Sequence, residues 1–95
     1  MYRLAFKPSV KKDFRHISEA DIHFIRESLE TFVSNFSHDY EQELLKTGKI
    51  KKLQGETQIL YRLRLRRYRV IYQKKNDLLI ILVLSVKSRE GSYRK

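Results

Sequence analysis

The stretch Leu60-Tyr61-Arg62-Leu63-Arg64-Leu65-Arg66-Arg67-Tyr68-Arg69-Val70-Ile71-Tyr72 decides the fold. Before the Arg66-Arg67 pair, Tyr61, Leu63 and Leu65 alternate with Arg62, Arg64 and Arg66. After it, Tyr68, Val70 and Tyr72 alternate with Arg69, Ile71 and Gln73. A period of two belongs to a strand with one buried face, so the stretch predicts two antiparallel strands joined by a tight hairpin. Arg66-Arg67 is an odd choice for that hairpin, because two-residue turns favour residues that accept positive φ. The alternation sends the tyrosines and leucines toward a core. Arg62 and Arg64 leave the opposite face, roughly 6.5–7 Å apart along the strand.

Reading outward, Asn76-Asp77 predicts a second turn, and Leu78 to Val86 is apolar on both faces, as in an interior strand. Toward the N-terminus, Tyr2, Leu4 and Phe6 alternate as a first strand. Pro8 suits the first turn of a helix, which carries Val10, Phe14 and Ile17. Ser18 is an N-cap candidate, with Asp21 three residues on in place of the usual Glu. Ile22, Ile25, Leu29, Phe32, Val33 and Phe36 then form the clearest helical stripe in the chain. Asp39 to Lys46 adds a helical turn or two through Tyr40, Leu44 and Leu45, closed by Gly48. The expected fold is α+β in the order β-α-α-β-β-β, with two helices of the N-terminal half packed on one face of a small, antiparallel-rich sheet. Residues 1–95 are expected to form a single domain.

Charge divides the chain. Residues 1–45 hold 6 Lys/Arg and 8 Asp/Glu, whereas residues 46–95 hold 15 Lys/Arg and 3 Asp/Glu. The excess cation is thus carried by the strands, where it predicts a surface for a polyanion. A hairpin partner brings Arg69 onto the face of Arg62 and Arg64, and Arg89, just past the last strand, approaches from its end. Planar guanidinium groups that never lose their charge suit phosphate oxygens. Lys49, Lys51, Lys52, Lys87, Arg94 and Lys95 extend this set as RNA-binding candidates, and Tyr93 lies near the terminus where it can stack on a base.

Rival chemistries find little. There is no cysteine, so disulfides, thiolate zinc and cysteine nucleophiles drop out. His16, His23 and His38 have spacings that fit no i, i+4 metal pair or zinc finger, and Glu56, Asp77 and Glu90 are too scattered for a two-metal site. Three glycines make no phosphate loop, and Ser85 and Ser88 have no nearby histidine in sequence. No cofactor or metal is expected. The longest apolar run, Leu78 to Leu84, is too short for a bilayer, which takes about 20 residues, and residues 1–6 have no secretory pattern. A cytoplasmic protein without membrane contact is expected.

Lys52-Leu53-Gln54-Gly55, Leu60 to Leu65, Tyr68-Arg69-Val70-Ile71-Tyr72 and Ser85-Val86-Lys87-Ser88-Arg89-Glu90-Gly91-Ser92-Tyr93, together with Leu4 to Ser9 and Lys12-Asp13-Phe14, resemble the RelE/ParE toxin superfamily. The resemblance covers nearly the whole chain and is closest to the RelE-like mRNA interferases. It implies a RelE-like fold and a type II toxin with a cognate antitoxin, acting on mRNA in the ribosomal A site. It implies metal-independent cleavage by 2′-OH attack, leaving a 2′,3′-cyclic phosphate. Carried over residue by residue, Arg62, Arg64 and Arg69 hold the pentavalent phosphate, Arg89 assists the leaving 5′ oxygen, and Tyr93 activates the 2′-OH. A phenol is a weak base at its reference pKa of about 10, and adjacent cations lower that value. ParE-like members instead inhibit DNA gyrase and lack the cutting residues, and a non-catalytic RNA-binding module is a further alternative. Two departures stand out. Arg66-Arg67 replaces a glycine-containing turn, and the chain runs only two residues past Tyr93.

Overall fold

The computed structural model describes residues 1–54 and 58–88. Its elements are β1 (Arg3–Phe6), α1 (Val10–Phe14), α2 (Glu19–Ser34), α3 (His38–Thr47), β2 (Ile50–Gln54), β3 (Ile59–Leu65), β4 (Tyr68–Lys75) and β5 (Ile80–Ser88). The sheet order is β1-β5-β4-β3-β2. β2 to β5 form an antiparallel meander, and β1 joins the far edge parallel to β5. The α+β class and the order of elements are those expected from the sequence. The structure adds that Asp39 to Lys46 lies in a full helix of its own, and that Lys51 and Lys52 lie on a strand, β2.

Local chemistry explains each boundary. The Ser18 hydroxyl accepts from the Asp21 amide at 3.2 Å and starts α2; Ser37 does the same for Tyr40 at 3.1 Å and starts α3. The Asp21 carboxylate, unlike a capping-box Glu, is engaged elsewhere. Gly48 ends α3 with φ 83, the left-handed cap that lets β2 begin two residues later. A Cβ at Gly48 would meet nothing within 4 Å, so Gly48→Ala isolates the backbone cost, about 1–2 kcal/mol. A fall in Tm of about 4–8 °C per kcal/mol is expected for a domain of this size, measurable by circular dichroism, with no change in secondary structure.

The core lies between the helices and one sheet face. Ile25, Leu29, Phe32 and Val33 of α2 and Val10 of α1 meet Leu63, Leu65, Tyr68, Val70, Tyr72, Ile81, Val83 and Val86. These strand residues follow strict alternation except in β5, where the register shifts. Ile71 pairs with Ser85 while Tyr72 pairs with Val83, leaving Leu84 as a bulge. The bulge re-phases the strand. Without it Val83 and Lys87 would share a face; with it Val86 turns into the core and Lys87 turns outward beside Arg69. Leu78 and Leu79, expected in the strand, instead belong to the turn before it and are exposed. Among the described residues, no helix is long and apolar enough to cross a membrane.

Candidate functional site

Because Tyr61, Leu63, Leu65, Tyr68, Val70 and Tyr72 face the helices, their strand neighbours face away. The register places Arg64 opposite Arg69, and Arg69 opposite Lys87. The Arg64 amide donates to the Lys49 carbonyl at 2.9 Å, so the backbone of Lys49 lies across from Arg64 on the other side. One row of the sheet therefore carries a cation on each of β3, β4 and β5. Directly opposed side chains have Cβ atoms about 4.5–5.5 Å apart, where like charges are destabilising. The neighbouring row is Lys51, Arg62, Ile71 and Ser85.

The structure brings Arg62, Arg64 and Arg69 onto one open face, as the sequence predicts. It divides the lysines. Lys51 pairs with Arg62 and lies in the arginine register, whereas Lys52 pairs with Tyr61 in the opposite one. Lys87 is on the open face but its ammonium is 2.7 Å from Asp13 Oδ1. Arg89, Tyr93, Arg94 and Lys95 lie outside the described residues; Ser88, the last described residue before them, is the partner of Tyr68 at the same end of the sheet.

That end is closed by the β3–β4 turn. Arg66 adopts φ 53, a left-handed conformation that costs a non-glycine residue about 1–2 kcal/mol. The expectation that this pair would resist positive φ is answered by a contact: the Arg66 guanidinium lies 3.7 Å over the Phe24 ring centroid on α2, a cation–π stack that offsets the strain. Arg67 donates to Asp21 Oδ2 at 3.1 Å and to the Tyr68 hydroxyl at 3.1 Å, and that hydroxyl donates to the same Asp21 oxygen at 2.5 Å. Burial, then the hydrogen bond to Asp21, raises the Tyr68 pKa. Arg64, Arg66, Arg67 and Arg69 line a cavity of about 350 Å³. Guanidinium groups lining such a pocket have the charge and planar fork that match phosphate oxygens.

Acidic residues decide which cations remain available. Asp13, Asp21 and Glu41 pair with Lys87, Arg67 and Lys74, each joining a helix to a strand or its turn. Among the described residues, no ion pair engages Arg62 or Arg64. The sequence alone assigns no partner to Asp13 or Glu41. Both fall within apolar stripes, Asp13 between Val10 and Phe14 and Glu41 between Tyr40 and Leu44, and an acid inside such a stripe is the sign of a buried partner.

Residues 4–93 match the family model described as the ParE toxin of type II toxin–antitoxin systems, parDE, and the chain belongs to this family. Among solved structures it is similar to the archaeal RelE–RelB complex from Pyrococcus horikoshii OT3, with 28% identity and TM-score 0.66 over 93% of this chain and 94% of that one. It is also similar in fold to the isolated E. coli RelE toxin (21% identity, TM-score 0.64, 93% and 84% covered) and to the RelB–RelE complex from Methanococcus jannaschii (22%, 0.64, 94% and 94%). No curated protein matches the sequence. The protein is a type II toxin of the RelE/ParE superfamily, and the solved structures it is similar to are RelE toxins.

Proposed function

We propose that this toxin is a metal-independent, cytoplasmic endoribonuclease that cuts mRNA on the ribosome, in the A site. The observation that carries the reading is the row of Arg64, Arg69 and Lys87 on the face away from the helices. Within it Asp13 neutralises Lys87, while Arg64 and Arg69 stand directly opposed, two guanidinium groups positioned to receive an anion between them.

In the reaction, the 2′-oxygen attacks the adjacent phosphorus as its proton leaves. The bond from phosphorus to the 5′ oxygen breaks, that oxygen takes up a proton, and the products are a 2′,3′-cyclic phosphate and a 5′-hydroxyl. Negative charge builds on the phosphoryl oxygens in the transition state, where preorganised guanidinium groups have most effect. Arg62, Arg64 and Arg69 supply that charge. Arg89 assists the leaving oxygen through charge and hydrogen bonding, and Tyr93 acts on the 2′-OH. Lys49, Lys51, Arg94 and Lys95 hold the flanking chain, whereas Lys52, in the opposite register, and Lys87, paired with Asp13, have no such part. Ribosomal positioning of the message supplies the proximity that the open face lacks.

The family match favours one second reading, a ParE-like gyrase inhibitor without RNA chemistry. Induced expression followed by primer extension on a translated message separates the two. Discrete cuts within codons, with cyclic phosphate ends, are expected. Intact message together with impaired DNA supercoiling would establish the gyrase reading instead.

A further inference from the structure

We propose that the Arg66-Arg67 turn forms a second phosphate subsite, gripping single-stranded RNA beyond the linkage that is cut; this rests on the RNA reading above. Four observations converge on it. The turn backbone would be less strained with glycine or asparagine at position 66, yet the chain holds an arginine there at φ 53. Its guanidinium carbon lies 3.7 Å over the Phe24 ring centroid, a cation–π contact that holds the group while leaving its N–H edges to donate to a ligand. No ion pair engages Arg66 among the described residues. Finally, Arg66 shares its cavity with Arg64 and Arg69 of the central row, so a chain leaving that row toward the turn meets Arg66 next.

Arg67 has a different part. Its contacts with Asp21 and the Tyr68 hydroxyl tie the turn to the first turn of α2, so the subsite is a held surface rather than a loose loop. Arg66 and Phe24 also line the cleft of about 440 Å³ between α2, α3 and β3. A base stacked on the outer face of the guanidinium would continue the Phe24 stack, a mode that suits unpaired bases and is closed to those inside a duplex. Single-stranded RNA is therefore the assigned ligand.

The test uses the full chain and a labelled 12-nucleotide RNA with every 2′ position O-methylated, which binds without being cut. Its Kd is measured by fluorescence anisotropy from 50 to 300 mM salt. Arg66→Gly is the informative variant because it suits the backbone, so weaker binding is not a folding defect; equal or higher Tm verifies this. Its affinity is expected to fall about tenfold at low salt, with the log–log salt slope shallower by about 0.7, the value of one phosphate contact on a single strand. Arg66→Lys should keep the slope but lose part of the affinity, since ammonium does not stack as guanidinium does. If Arg66→Gly binds like wild type while Arg69→Ala is weakened, the subsite is overturned and the RNA reading stands. If wild type binds no RNA, both fall. If Arg66 matters only for duplex DNA, the assigned ligand is wrong.

Discussion

Arg69→Ala is expected to lower RNA cleavage by about 10²–10³-fold, the usual scale for removing one preorganised donor to a developing oxyanion, and to leave the fold as stable as before. The two halves of this result have one cause. Arg69 is the central member of its row, with Arg64 as its partner on β3 and Lys87 on β5. Removing it relieves like-charge opposition worth about 0.2–1 kcal/mol per pair, which offsets what its own contacts contribute. A catalytic loss with an unchanged urea midpoint is therefore the signature of a residue kept for an anion. Cleavage is read by primer extension in a translating extract. Arg69→Lys keeps the charge but loses the bidentate fork and should recover only part of the rate. Cleavage at the wild-type rate by Arg69→Ala would remove this row from the chemistry. Supercoiling by gyrase would then be the activity to measure.

The contrast between what the sequence discloses and what it withholds follows from the range of each interaction. Tyr61 to Leu65 and Tyr68 to Tyr72 could be placed because one face is polar and the other apolar, so period two is visible. The α2 stripe is visible for the same reason at period 3.6. β5 hides its bulge because both faces are apolar; a slip at Leu84 changes no pattern, yet it turns Lys87 outward. The β3–β4 turn was legible in position but not in conformation. Its left-handed Arg66 is supported by Phe24, which lies 42 residues earlier in the chain. Local turn preferences carry no trace of such a contact. The same holds for the acids: Asp13 with Lys87 spans 74 positions and Asp21 with Arg67 spans 46. The charge asymmetry between the two halves foretold a cationic sheet, but only the packing identifies which cations the helices neutralise.

The largest effect on stability is expected at Glu41, the one charged residue buried among the described residues. One carboxylate oxygen accepts from Lys74 Nζ at 2.8 Å, the other from the Tyr72 hydroxyl at 3.0 Å. Tyr61 stacks on Tyr72 at 5.3 Å, and the Lys74 ammonium lies 4.9 Å from the Tyr61 centroid. Glu41→Ala leaves Lys74 and the phenol without their acceptor. Breaking a buried pair from one side costs about 3–5 kcal/mol; the lower end applies, because the Lys74 side chain keeps 20% exposure. That is a large share of the roughly 5–15 kcal/mol that holds a domain together. Glu41→Leu with Lys74→Met should recover part of the loss, since an apolar pair removes the desolvation penalty of the charges while the Tyr72 hydroxyl stays without its acceptor. A double variant no more stable than Glu41→Ala would mean that shape, and not charge, governs the site. The same cluster sets the alkaline limit of the fold. Burial raises the Tyr72 pKa, reinforced by the Glu41 charge and hydrogen bond. Burial alone would lower Lys74, but its hydrogen bond to Glu41 and the charge of that carboxylate outweigh it, and its pKa is raised. Both groups therefore keep their protons in the fold after the unfolded chain begins to lose them, near the ordinary values of 10.0 and 10.5. Above that range the unfolded chain binds fewer protons, so stability falls as pH rises; below it the contribution is fully present. Tyr72→Phe takes one of the two groups out of the titration. It should cost about 1 kcal/mol at pH 7 through the lost hydrogen bond, yet flatten the decline between pH 10 and 11.5 in urea titrations, and an equally steep decline would assign alkaline unfolding to other groups.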